Sequence, residues 1–418
     1  MKRVVRTAAL ATVLGFPAAL TAAPEPSAEP TMAEVMRLLK EQQAEIEALK
    51  AQLRQTDTKV AETATAVEAT ASAVETAAGQ SERSAKVADW ADHTQLGGYG
   101  EIHYNNKKNG QTDELDAHRF VMFLSHDFSD KVHFFSEVEL EHAVASHQDS
   151  GEVELEQAYV QWDYAERQNA RFGQFLMPVG ILNETHEPPA FYGVERNPVE
   201  RLIIPTTWRE DGVLLGGEIV PGLHYDAGVH SGLKTDIAGE APFDVAESHQ
   251  EGAHAVAEDL AYTGRLKYTG LAGLELGLAV DYETDMTQGL SPGADKASAL
   301  LYETHGIYQL GPFGLRALYA RWQIDGAQAK ALGKDVQKGW YLEPSWRLTQ
   351  KLGFFARYSE WDTAAGRHAD AGHANTDVEE LAFGVNYWLV ENVVLKADRI
   401  NQHNGDGDGF NLGLGWSF

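Results

Sequence analysis

The chain has 418 residues, no cysteine and a formal net charge of -28. The absence of cysteine excludes disulfide scaffolds and thiolate metal sites, and the acidic excess argues against nucleic-acid binding, which requires Lys and Arg for phosphate contacts. The length allows several ordinary domains or one large all-β domain.

The first 23 residues have the pattern of a signal peptide. Three basic residues fall within the first six, an apolar stretch follows at 8–20, and the small residues TAA at 21–23 suit cleavage. The alternative is a short buried helix. We predict that residues 1–23 are a signal peptide and that the mature chain is exported.

Residues 31–78 repeat apolar side chains every seven residues. One seam position carries Leu39, Ile46 and Leu53, and the seam becomes a weaker mixture of Thr, Val and Ala further along. A heptad kept this long predicts a helix that packs against partner helices. We therefore predict that residues 24–90 form a periplasmic coiled-coil and linker segment. The alternatives are an amphipathic helix lying on the barrel or a solvated linker.

From Gln95 onward the apolar period becomes two, as in GLELGLAVDYE at 273–283. About sixteen such strands follow. Short joints, such as FSDK, VPG and LTQK, alternate with long ones, which include 178–209 and 232–258. Barrels of the outer membrane have short turns on one side and long loops on the other. The sequence therefore predicts an all-β fold, a transmembrane antiparallel barrel of about sixteen strands over residues 91–418.

The last nine residues, FNLGLGWSF, form an alternating strand with its apolar side chains on one face. We predict that it pairs with the first strand, near 95–104, and that lipid covers the apolar face. Trp416 and Phe418 then lie at the membrane interface. The alternating last strand, which ends in Phe, resembles the signal that outer-membrane barrels present to the barrel-assembly machinery, and the resemblance implies that Trp416 and Phe418 serve as that signal. The alternative is a soluble barrel that happens to end in Phe.

A barrel of this size encloses an aqueous channel. Its inner wall is predicted from the parity opposite the apolar one. The charged residues assigned to this wall are Glu137, Glu139, Glu141, Arg265, Lys267 and Lys396.

The long connection at 178–209 is rich in Pro and apolar residues, which is unusual for a solvated loop. We predict that it folds inward and narrows the pore, where charged side chains would set ion selectivity. The alternative is an outer loop packed at a subunit contact. The residues assigned to the constriction are Arg171, Glu187, Tyr192, Glu195, Arg196, Glu200, Arg201 and Arg209.

The stretch RFGQFLMPVGIL at 171–182 resembles a motif of the phosphate-selective porin O/P family. The matching residues are Gly173, Gln174, Phe175, Pro178 and Gly180. The following FYGVERNPVE also resembles the family, with Glu195 and Arg196 matching. The resemblance implies a homotrimer of sixteen-stranded barrels in the bacterial outer membrane that passes small anions, such as phosphate, through an arginine-lined path.

Other chemistry has weak support in the sequence. The 16 histidines show no tight ligand spacing, so no metal site or cofactor is predicted. The one G-x-S-x-G match, at 289–293, lies between two predicted strands and not at the strand-to-helix turn that a nucleophile elbow needs, so no enzyme is predicted. Three hypotheses remain open. The first is a passive diffusion channel, which would prefer small anions, or be general, or prefer dicarboxylates or cations. The second is a structural outer-membrane protein tethered by its coiled coil. The third is a barrel hydrolase.

Overall fold

The computed structural model describes residues 31–108, 112–144, 151–237, 241–289, 296–366 and 376–418, with no side-chain description at 82–85. The predicted signal peptide at 1–23 lies outside these residues. By internal contacts the chain divides into two compact units, residues 1–86 and 87–418.

Helix α1 spans Met32–Asp92, which is 61 residues. Its seam residues Leu39, Ile46 and Leu53 are between 50% and 63% exposed. In the second half of the helix, the hydroxyls of threonines such as Thr56 and Thr63 donate hydrogen bonds to the backbone carbonyl four residues earlier. The helix therefore presents an apolar stripe along its length. None of the described helices is long and apolar enough to cross a membrane.

Sixteen antiparallel strands form one closed sheet in which every strand pairs with its sequence neighbours. The predicted antiparallel barrel of about sixteen strands is therefore confirmed. The strands are β1 Thr94–Lys107, β2 Glu114–Ser129, β3 Val132–Glu141, β4 Val153–Ala165, β5 Gln168–Leu176, β6 Arg209–Val220, β7 Leu223–His230, β8 Ala261–Leu271, β9 Leu274–Glu283, β10 Ser298–Leu310, β11 Phe313–Asp325, β12 Val336–Arg347, β13 Leu352–Asp362, β14 Val378–Val390, β15 Val393–His403 and β16 Gly409–Ser417.

The barrel closes between β1 and β16, with Tyr99 opposite Ser417 and Lys107 opposite Gly409. Phe418 continues the ladder, because its backbone N–H donates to the Gly98 carbonyl at 2.9 Å. No strand of the described barrel is left with an open edge. Closure satisfies the backbone groups of both terminal strands, as a membrane-spanning sheet requires.

The outer face of the barrel is apolar. On β9, Leu276, Leu278, Val280 and Tyr282 are all about two-fifths to one-half exposed, while the residues between them are buried or half-buried. Near the short turns, Phe313 stacks on Trp346 with ring centroids 6.1 Å apart. Aromatic rings at the end of an apolar band are typical of barrels surrounded by lipid.

The inner face is not uniformly polar. On β11 the inward residues Leu318, Ala320, Trp322 and Ile324 belong to a buried apolar cluster. That cluster continues onto β10, β12 and β13 and includes residues from the long connections. One arc of the barrel interior is therefore packed in the manner of a protein core.

Deletion of residues 24–90 is expected to leave the barrel folded, because every strand pair lies beyond residue 93. Heat-modifiable migration on SDS gels would measure barrel folding, and sedimentation would measure the oligomeric state. The full-length protein is the control. Failure of the truncated protein to assemble in detergent would show that the helix is needed for barrel formation.

Candidate functional site

The segment between β5 and β6, residues 177–208, lies inside the barrel. A 3₁₀ turn at Pro188–Ala190 rests on β1, β15 and β16, and a short helix, α2 at Val199–Leu202, rests on β12 and β13. Met177, Ile203 and Trp208 are fully buried. We call residues 177–208 the inward segment.

On one side, the inward segment is held by polar groups of β1 and β15. The backbone N–H of Val194 donates to Asp398 Oδ2 at 2.6 Å, and Asn105 Nδ2 donates to Glu195 Oε1 at 2.9 Å. His103 Nδ1 lies 3.0 Å from the same oxygen. Burial alone would raise the pKa of Glu195, but the hydrogen bonds from His103 and Asn105 and the neighbouring histidine charges together outweigh burial and lower the pKa to about 2. Glu195 therefore stays ionised and docked across the ordinary pH range.

The segment also contacts β2, which adjoins β1, and β8, which lies on the opposite wall of the barrel. Arg119 Nη2 donates to the carbonyl of His186 at 3.0 Å, and Arg265 forms a short ion pair with Glu184. Burial and the neighbouring Arg196 and Arg119 charges lower the pKa of His186 to about 3. His186 is therefore neutral in the folded protein. Contacts on opposite walls mean that the segment crosses the barrel interior.

Glu200 organises the segment from within. Its Oε1 accepts from the backbone N–H groups of Ile181 and Leu182 at 2.6 and 2.7 Å. Its Oε2 accepts from Asn197 Nδ2 and from the Tyr341 hydroxyl on β12, each at 2.8 Å. Glu200 was predicted to line the constriction, but it is 3% exposed and serves as a buried clamp.

Glycines on the barrel wall make room for the segment. A Cβ added at Gly415 would lie 2.3 Å from Pro188 Cβ, and one at Gly353 would lie 2.5 Å from the Tyr192 hydroxyl. Gly180 has a positive φ of +80, and a Cβ there would lie 2.7 Å from Glu200 Oε1. The inward-facing position of the last strand at Gly415 thus has no side chain because the segment packs directly against it.

Substitution of Gly415 by alanine is expected to displace the 3₁₀ turn and to destabilise the docked segment by about 1–3 kcal/mol, as overpacking does. Gly306 to alanine is the matched control, because the nearest atom to its added Cβ is a Leu276 methyl at an ordinary 3.4 Å. Protease protection within 177–208 would measure docking. Equal protection in both variants would contradict the packing argument.

Three cavities adjoin the inward segment. One of about 300 Å³, at the end with long connections, is lined by Glu195, Arg196 and Arg201 together with wall residues. A second of about 480 Å³, near the short turns, is lined by Glu184, Arg171 and Arg265. The segment therefore has charged, cavity-lining residues on both of its sides.

The predicted constriction residues do not form one ring. Arg209 is 2% exposed and its Nη2 lies 2.6 Å from Glu154 Oε2, and Arg196 Nη2 donates to Thr207 Oγ1 at 2.8 Å. Tyr192 packs beside Phe355 and Trp388 in a third cavity. Glu187 is half-buried before the 3₁₀ turn. Only Glu195, Arg196 and Arg201 share one cavity.

The third cavity, of about 820 Å³ near the short turns, is the most basic of the three. Its charged lining is Arg316, Arg347 and Lys351 against the single acid Glu391. Each of the three cations donates to a backbone carbonyl, and none forms a salt bridge with a described residue. We call this the basic vestibule. Sequence reasoning missed it because its cations lie on two strands and a turn rather than on the segment.

The predicted wall and motif residues occupy varied environments. Glu137, Glu139, Arg265 and Lys396 face inward and are at most 8% exposed, because the segment covers them. Glu141 and Lys267 are half-buried. Phe175 is fully buried and Gln174 is 6% exposed. Gly173 and Gly180 have positive φ, and Pro178 is buried at the start of the segment.

A second connection, residues 231–260, also packs inward where it is described. Leu233, Phe243 and Val245 are buried in the apolar cluster. Gln337 Nε2 on β12 donates to the carbonyl of Phe243 at 2.7 Å. This packing, together with the inward segment, fills part of the barrel interior.

Comparison with known structures fixes the fold. The outer membrane channel DcaP of Acinetobacter baumannii superposes with a TM-score of 0.53, at 13% identity over 78% of this chain and 97% of that one. The chain has the fold of outer-membrane porins. An anion-selective porin from Comamonas acidovorans gives a TM-score of 0.52 at 14% identity over 78% and 99%. OmpT of Vibrio cholerae in its trimer form gives 0.50 at 12% over 78% and 99%.

Comparison of sequences does not identify a family for the chain. No family model matches the chain. An uncharacterized protein of Aquifex aeolicus (strain VF5) is 29% identical over 374 residues, covering 80% of this chain and 82% of that protein. The porin fold is therefore established by structure, and the resemblance to the phosphate-selective O/P family stays a prediction.

Proposed function

We propose that the protein is an outer-membrane porin for passive diffusion of small solutes. The observation that carries this proposal is the inward segment, which crosses a sixteen-strand barrel and has charged cavities on both sides. A lumen crossed by a polar, partly filled constriction admits small hydrated solutes and excludes large ones. The apolar outer face supports a location in the outer membrane.

We further propose a preference for small anions. The basic vestibule supports it, because its three cations face one acid and have no described carboxylate partner. Potential inside a narrow cavity depends on the nearest charges, so the chain's overall charge of -28 does not determine it. Phosphate is the anion that the family resemblance implies. Arg196 and Arg201 supply further positive charge on the other side of the segment.

The test is the zero-current potential of purified protein in a planar bilayer under a salt gradient, repeated with phosphate. We expect an anion-selective potential and a conductance that phosphate reduces. Anion selectivity without a phosphate effect would remove phosphate and keep the channel. A neutral or cation-selective potential would favour the general or cation-preferring porin. Absence of conductance would favour the structural protein, and turnover of a lipid or peptide ester would favour the hydrolase.

We also propose that the protein is a homotrimer joined partly by its helix. The apolar seam of α1 supports association with identical helices, because at least half of each of Leu39, Ile46 and Leu53 is exposed. The sedimentation measurement on the protein lacking residues 24–90 tests this. A smaller oligomer would support it, and an unchanged one would assign assembly to the barrel alone.

A further inference from the structure

Three buried side chains from three separate parts of the chain meet where the inward segment contacts the barrel wall. They are Glu137 on β3, Glu156 on β4 and His186 of the segment, with exposures of 5%, 0% and 3%. One oxygen or nitrogen from each lies within 4.8 Å of the others. Sequence spacing could not reveal this group, because no two members are close enough in sequence to form a ligand motif.

Several polar atoms at this meeting point have no hydrogen-bond partner among the described residues. Among the described residues, none donates a hydrogen bond to either carboxylate oxygen of Glu156. The same is true of Glu139 Oε1, and the neighbouring Tyr99 hydroxyl is also without a partner. Leaving one buried polar group unpaired costs about 1–3 kcal/mol, and more for a charged group. Several such atoms in one place indicate that a ligand satisfies them.

The histidine is oriented as a ligand would be. His186 Nδ1 lies 3.0 Å from the carbonyl of Asn183. Since a carbonyl only accepts, Nδ1 carries the hydrogen, and Nε2 is the ring atom left to bind a metal. Nε2 has no described hydrogen-bond partner and lies 3.8 Å from Glu156 Oε2. Metal-binding histidines typically donate their other ring N–H to a carbonyl or carboxylate in this way.

The surrounding cations do not neutralise the carboxylates. Arg119 Nε is bonded to Glu101 at 2.6 Å and lies 3.9 Å from Glu139. Arg196 donates to the Thr207 hydroxyl and forms no salt bridge with a described residue. Glu137 receives one hydrogen bond, from Gln157 Nε2 at 2.7 Å. A buried carboxylate is stabilised by a paired charge, a metal or a bound proton, and the arginines supply only part of the positive charge that these carboxylates would need.

We propose that Glu137, Glu156 and His186 bind one divalent transition-metal cation, such as Zn²⁺ or Mn²⁺, which fastens the inward segment to strands β3 and β4. A tetrahedral ion with ligands at about 2.1 Å separates them by about 3.4 Å, so the observed spacing needs only a small contraction. Glu139, two residues from Glu137 on the same face, supplies a further oxygen or an outer hydrogen-bond acceptor. The imidazole and the small ligand number favour a transition metal over Ca²⁺.

Another histidine cluster provides a control. Asp116, His118 and His142 also lie close together, at the mouth of the barrel. There, Asp116 Oδ2 already lies 2.8 Å from His142 Nδ1 and 3.3 Å from His118 Nδ1, and the groups are more than a quarter exposed. Because this cluster satisfies itself, it is not expected to bind a metal as tightly.

The experiment titrates chelator-treated, full-length protein with Co²⁺ and follows the visible absorption of the bound ion. We expect about one tightly bound equivalent per chain, displaced by Zn²⁺. Glu156→Gln and His186→Gln are each expected to weaken binding by about 100-fold or more. The double variant His118→Gln with His142→Gln is expected to bind as the unmodified protein does.

Three outcomes would overturn the proposal. The first is that the unmodified protein binds Co²⁺ no more tightly than Glu156→Gln does. The second is that the His118→Gln, His142→Gln double variant loses binding while His186→Gln keeps it. The third is that Ca²⁺ displaces Co²⁺ as readily as Zn²⁺ does. Heat-modifiable migration would verify that each variant is folded. His186→Gln lies outside the strands, so it stays informative if Glu156→Gln does not fold. The absorption readout does not require conduction, so it stands apart from the channel proposal.

Discussion

Replacing Glu200 with alanine is expected to release the inward segment and to raise the single-channel conductance. Glu200 accepts four hydrogen bonds, two from backbone N–H groups of the segment and one from Tyr341 on the wall. The alanine variant would leave the buried N–H groups of Ile181 and Leu182 unpaired, which costs about 1–3 kcal/mol each. We expect docking of the segment to weaken by about 2–5 kcal/mol. Conductance in planar bilayers and protease protection of 177–208 would measure the effect.

Two further variants sharpen the Glu200 experiment. Tyr341→Phe removes only the wall contact and is expected to have a smaller effect than the alanine variant. Glu360→Ala removes a half-buried carboxylate of β13 whose described hydrogen bond comes from Trp340, so it is the control for loss of charge. If the Glu200 variant keeps both the conductance and the protection of the unmodified protein, the clamp does not hold the segment.

Neutralising the basic vestibule is expected to lower the ratio of anion to cation permeability. Two charges about 4 Å apart in water interact by about 1 kcal/mol, which corresponds to about fivefold for each cation removed. Lys351→Gln is therefore expected to lower the ratio about fivefold at low salt, and addition of Arg316→Gln to lower it further. The zero-current potential would measure the ratio, and the effect is expected to shrink as salt screens the charges.

The control for the vestibule is Lys131→Gln. Lys131 lies in the short turn between β2 and β3, at the same end of the barrel, and does not line the vestibule. It removes the same charge from the chain. Equal changes in the zero-current potential for Lys131→Gln and Lys351→Gln would show that the selectivity follows overall surface charge. No change in either variant would mean that ions do not pass the vestibule.

The strands were predictable because their signals are local. Alternation along β9 marks one face, and the alternation of short and long joints marks the ends of the barrel. The closure of β16 on β1 followed from the need to leave no strand edge unpaired. Inward packing of 178–209 was also predicted, since its Pro-rich, apolar composition does not suit a solvated loop.

The roles of single residues inside the barrel were not predictable in the same way. Glu200 and Arg196 are four residues apart and both charged, so their composition does not distinguish them. Glu200 is a buried clamp, and its partner Tyr341 is 141 residues further along the chain, so the local sequence could not reveal this contact. On β11 both faces carry apolar residues, so alternation could not tell which arc of the interior is filled. The basic vestibule combines residues of β11, β12 and a turn, and such a set becomes visible only when the strands are in register.

The strands on which the inward segment packs determine when, during barrel assembly, the segment can dock. The 3₁₀ turn rests on Gly415, and Val194 bonds to Asp398, which is 204 residues further along the chain. A segment in the first half of the chain thus has no complete place to rest until the last strand joins the first. Contacts this distant in sequence form late. The newly closing barrel would therefore pass through a wide, unplugged stage, and it would acquire its narrow interior only as the final residues are incorporated.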